Sequence, residues 1–89
     1  MEASVGDVVY SKNGRDKGVF FVVMSLSDGY AFISNGSSRK SDKPKKKKLK
    51  HLEFGFGHSE YISDKIAKGE KITNTELRRE LQEYNLQHN

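Results

Sequence analysis

The stretch KPKKKKLK, residues 43 to 50, places six lysines in eight positions. Ammonium groups packed this closely repel one another and lend a folded chain no stability, so the chemistry they offer is attraction for a polyanion. An extended segment advances about 3.3 Å per residue, which sets same-side lysines about 6.6 Å apart, comparable to the phosphate spacing along one nucleic-acid strand. Read as extended, the segment is cationic on both faces and fits a groove between two backbones. Such binding releases counterions and weakens steeply with salt. Lysine reads charge and not sequence, so specificity must come from shape or from other residues. The candidate contacts are Lys43, Lys45, Lys46, Lys47, Lys48 and Lys50, completed by Arg39 and Lys40 in the preceding loop and by Lys12, Arg15 and Lys17 in an earlier turn.

Over the 89 residues the formal net charge is +4, but it is unevenly spread. Residues 39 to 51 hold eight Lys and Arg against Asp42 alone, a local +7 that leaves the remainder at −3. That is a footprint on one site, not a generally basic surface. Lysines on an edge strand also discourage sheet-to-sheet aggregation, but one or two suffice for that. PKKKKLK resembles a nuclear localisation signal, a pattern with many chance matches. Contact with a polyanion is the stronger reading, and charge alone leaves DNA open beside RNA.

No comparable constellation supports catalysis. GxSxG, GxxxxGK[ST], HExxH and CxxC are absent, and the acidic residues fall singly through turns and helix faces with no paired acid and base. His51, His58 and His88 are too scattered to suggest a metal site, and without cysteine there is neither a thiolate ligand nor a disulfide. The chain is expected to be non-enzymatic, with no cofactor and no metal. Asn35-Gly36-Ser37 matches the glycosylation pattern by coincidence, since the N-terminus lacks the basic and apolar regions of a secretion signal. The longest apolar run, Val19 to Met24, is six residues, against roughly 20 for a membrane span. A soluble protein in a reducing, cytoplasmic setting is the expectation.

The lysine run must be positioned by what surrounds it. VGDVVYSK, residues 5 to 12, reads as a first strand, and the polar cluster from Asn13 to Gly18 as a turn. VFFVVMSL, residues 19 to 26, is a β-branched and aromatic run suited to a central, curved strand. Asp28-Gly29 signals a tight hairpin into a third strand, YAFIS, residues 30 to 34. Pro44 pushes Lys43 toward an extended conformation, so the lysines enter as a strand. Leu49 is out of phase with Leu52 and Phe54, which predicts one turn of tight helix at Leu49 to His51 before a short last strand. Five short strands make a small barrel or sandwich.

Gly55-Phe56-Gly57 marks the expected boundary, after which the apolar period becomes helical. Ser59 caps a short helix carrying Ile62 and Ile66 and stopped by Gly69. Thr73-Asn74-Thr75-Glu76 is a capping box flanked by Ile72 and Leu77 as a hydrophobic staple. Leu77, Leu81 and Tyr84 form a stripe on the helix that follows. Phe20, Phe21, Phe32 and Phe54 are assigned to the core, and Phe56 to packing in preference to stacking on a base. The organisation expected is a barrel over 1–55 and a helical extension over 56–89, packed on or beside it as a single domain.

The first strand, turn and second strand together, VGDVVYSKNGRDKGVFFVVMSLSDGYAFI, resemble a KOW motif. GRDKG matches the turn, with Gly18 as its closing glycine, and Gly6-Asp7 matches the usual start. The basic strand running into LKHLEF is similar to the large-subunit ribosomal protein family called L-fourteen-e and its bacterial KOW-domain relatives. The resemblance covers residues 5 to 54. It implies a mainly β, five-stranded SH3-like barrel that binds RNA, ribosomal RNA foremost, through Lys12, Arg15, Lys17, Lys45 to Lys48 and Lys50, with Gly18 structural through a positive φ. The alternative is a protein-interaction module docking on a transcription or translation factor through the C-terminal helices. Exposure of Leu77, Leu81 and Tyr84 would favour it.

Overall fold

The computed structural model describes residues 2–87; His88 lies outside the described residues. Strands β1 (Asp7–Ser11), β2 (Phe20–Ser27), β3 (Tyr30–Ser34), β4 (Lys45–Lys48) and β5 (Leu52–His58) form one antiparallel sheet in the order β4-β3-β2-β1-β5. Helices α1 (Glu60–Ala67) and α2 (Asn74–Gln87) follow. The sheet does not close into the expected barrel, because β4 and β5 are its two edges and no ladder joins them. β4 ends after four residues, where a single 3-10 turn, Leu49–His51, begins. That turn carries the chain across to β5, and the Lys12 N–H donates to the His51 carbonyl at 3.0 Å.

Sidedness follows from register. Val8 opposes Val22 and Tyr10 opposes Phe20, so these side chains share one face, while Val9 and Phe21 share the other. The first face packs against the helices, burying Val8, Phe20 and Val22 with Ile62, Ile72, Leu77 and Leu81. The second forms its own core from Val9, Phe21, Val23, Ala31, Ile33 and Leu52. β2, with near-continuous apolar residues, is thus buried on both sides, which explains its lack of alternation. A register shift between Val23 and Ser25 bends it.

A second irregularity lies between β1 and β5, where Val8 pairs with Gly57 and Tyr10 with Glu53. The extra residues let Phe54 pack on the Val9 core and Phe56 on the opposite cluster. Phe56 lies edge-on to Phe20 with centroids 5.0 Å apart, a packing role as preferred from sequence. The glycines around it therefore do not end the sheet; β5 runs to His58 and the helical part begins at Ser59. Phe32, expected in the core, is half-buried and lies outside both clusters.

The local stop and start signals act as read. Ser59 Oγ accepts from the Ile62 N–H at 3.1 Å to cap α1. The Thr73 N–H donates to Glu76 Oε1 at 2.8 Å, and the Glu76 N–H donates to Thr73 Oγ1 at 3.1 Å, completing the capping box. Glu76 also holds the two helices together: Lys65 Nζ sits 2.7 Å from its carboxylate and the Tyr61 hydroxyl donates to it. Those partners, Lys65 first, hold its carboxyl down at about 2. Leu77 and Leu81 are fully buried and Tyr84 is packed beside them, so the helix stripe is core. Among the described residues, no helix is long and apolar enough to cross a membrane.

Candidate nucleic-acid interface

β4 pairs with β3 so that Lys48 opposes Tyr30, Lys47 opposes Ala31, Lys46 opposes Phe32 and Lys45 opposes Ile33. Ala31 and Ile33 belong to the second core, so Lys45 and Lys47 turn toward that side and Lys46 and Lys48 away from it. The consequence is unequal lysines. Lys46 and Lys48 are exposed, Lys45 is half-buried, and Lys47 is buried with its amine donating to the Asn13 carbonyl at 2.7 Å. Lys47 thus buries its alkyl stem and spends its charge on the chain's own backbone. A segment cationic on both faces, as read from sequence, is not what the fold presents; the free comb is Lys46, Lys48 and, within the 3-10 turn, Lys50.

The bond to Asn13 also brings the β1–β2 turn against β4. In that turn Lys12, Arg15 and Lys17 are exposed. Gly18 closes it with φ +87° while its N–H donates to the Ser11 carbonyl at 2.9 Å, the structural role expected of it. The β3–β4 loop is drawn to the same turn, because Arg39 pairs with Asp16 at 3.1 Å. Arg39 is therefore a strut more than a free contact, whereas Lys40 and Lys43 remain exposed.

That loop is ordered from within and from behind. Asn35 Oδ1 accepts from the Ser37 and Arg39 N–H groups at 2.9 Å each, and Ser34 Oγ donates to the Lys40 carbonyl at 3.0 Å. Asn35, half of the glycosylation-like pattern, is in this way a buried loop organiser. From α2, Arg78 donates to the Gly36 carbonyl at 2.6 Å and Asn74 Oδ1 accepts from the Ser41 N–H at 2.7 Å. The approach is so close that a Cβ on Gly36 would stand 2.3 Å from the Asn74 carbonyl oxygen.

Two residues join the surface that sequence reasoning did not assign to it. His51 lies between the basic strand and Lys12, and partial desolvation, then the charges of Lys50, Lys48, Lys47 and Lys12, hold its imidazole below the usual value. Its position beside Lys50 was the available signal. Tyr30 carries the Lys46 amine 4.5 Å from its ring centroid; only the β3–β4 register reveals that. His58 is elsewhere, with Nδ1 2.8 Å from Asp7 Oδ1. Among the described residues, Arg39 alone of the predicted contact residues has an ion-pair partner, while Lys47 is tied to a backbone carbonyl. No protein-family model matches the chain, and a search of the curated proteins returned no match.

Proposed function

We propose that this chain is a non-enzymatic RNA-binding protein of the KOW type, its five strands forming an open sheet in place of the closed SH3-like barrel, whose basic rim grips the phosphates of a structured RNA. Ribosomal RNA is the leading partner, which makes the chain a component of a ribonucleoprotein serving translation. One observation carries the reading: the exposed lysines of β4, the 3-10 turn and the two adjoining loops, together with Arg15, lie on neighbouring elements and have no carboxylate partner among the described residues. Uncompensated charge at this density is stabilised by an external polyanion. The KOW reading draws support from the left-handed Gly18 at the end of the β1–β2 turn and from the 3-10 link between the last two strands.

The protein-docking alternative relied on an open helix stripe. Leu77 and Leu81 are spent on the sheet, so no observation favours it. The test is crosslinking in cells followed by sequencing of the bound nucleic acid. Recovery of ribosomal RNA supports the proposal; recovery of DNA alone, or of no nucleic acid, overturns it.

A further inference from the structure

The helices cover only part of the sheet face on which they rest. Val8, Phe20 and Val22 lie beneath them, and Ser34 opposes Val22 on the same side. Two and four residues back along β3, Phe32 and Tyr30 share that side by strand alternation. Both are half-buried, and neither belongs to the helix-side cluster. Their cross-strand partners are Lys46 and Lys48. The uncovered half of the face is thus two aromatic rings interleaved with two exposed ammonium groups, one of them 4.5 Å from the Tyr30 centroid. At its end opens a hollow of about 380 Å³ lined by Gly29, Tyr30, Lys48, Leu49 and Lys50.

A duplex offers phosphates to such a face but keeps its bases stacked inside. A single strand offers both: phosphates to Lys46, Lys48 and Lys50, and an unstacked base to the ring between them. We infer that the face formed by Tyr30, Phe32, Lys46 and Lys48 receives an unpaired nucleobase, so that the protein selects looped or single-stranded RNA over continuous helix. The inference rests on the RNA-binding reading above and adds what charge cannot supply, a preference among RNA shapes. Lys46 caps the Tyr30 ring in the free protein, and an entering base takes that face as the ammonium swings off it to the adjacent phosphate.

The experiment measures binding of a short single-stranded RNA carrying a central 2-aminopurine, and of the matching fully paired duplex, at fixed salt. Wild-type protein should prefer the single strand and quench the 2-aminopurine. Tyr30→Leu should weaken single-strand binding by about tenfold and abolish the quenching while leaving duplex binding and salt slope unchanged, and Tyr30→Phe should restore both. Phe32→Leu gives an independent second reading, with circular dichroism checking that each variant is folded. Equal single-strand affinity in wild type and folded Tyr30→Leu overturns this inference and leaves the RNA-binding reading standing. A wild-type chain that binds neither RNA overturns both.

Discussion

The inequality of the four consecutive lysines can be tested against the sequence's apparent equivalence. Lys46, Lys48 and Lys50 are exposed and have no carboxylate partner among the described residues, so each can neutralise a phosphate. Changing all three to Gln removes three such contacts, and the slope of log affinity against log salt on single-stranded RNA should flatten by about 2. Between 50 and 200 mM salt the wild type should therefore lose roughly twentyfold more affinity than the triple variant. Lys47 should behave differently. Its amine holds the Asn13 carbonyl, so Lys47→Met should cost about 1–3 kcal/mol of stability and leave the salt slope unchanged. Fluorescence anisotropy of labelled RNA across a salt series measures the first effect, and urea unfolding the second. A Lys47→Met slope as flat as that of the triple variant would refute the one-faced rim, and an unaltered slope in the triple variant would refute the phosphate contacts.

Gly36→Ala should destabilise the fold by about 2–3 kcal/mol in urea, because the new Cβ meets the Asn74 carbonyl oxygen at 2.3 Å and the residue must keep φ near +78°. His51 is held low by partial desolvation and then by the charges of the neighbouring lysines, and phosphates on the rim would offset the second effect, so RNA binding takes up a proton; affinity should rise as pH falls from 7 through the region below 6.5, and His51→Gln should lose that rise. Glu76, depressed from 4.5 to about 2, contributes stability that is full above the upper value and lost as pH falls toward the lower. The gap in urea midpoint between wild type and Glu76→Gln should therefore narrow over that window; a constant gap would mean that the Lys65 and Tyr61 contacts do not act on the ionised carboxylate.

Local chemistry made much of this fold legible. Asp28-Gly29, the phase slip between Leu49 and Leu52, the Ser59 cap and the Thr73 to Glu76 box each place their element within a residue or two, because the responsible forces act over one turn of chain. Sidedness was not legible. Which of Lys45 to Lys48 faces inward depends on β3 lying beside β4 in one particular register, a contact between distant residues. The irregular pairing that sends Phe54 and Phe56 to opposite cores, and carries β5 past two glycines, is likewise invisible until β1 is alongside. For the site, charge density located the strand and loops, while the burial of Lys47, the Arg39–Asp16 pair and the half-buried Tyr30 beside Lys46 required the assembled sheet.

The loop bearing Lys40 and Lys43 is held from behind by Asn74 and Arg78. During synthesis the sheet emerges first, but this part of the rim has no backing until the second helix has left the exit tunnel and docked. An unfinished chain thus carries Lys40 and Lys43 on a loop braced by Asp16 and its own hydrogen bonds alone, and this part of the rim takes its final shape as the last residues are made.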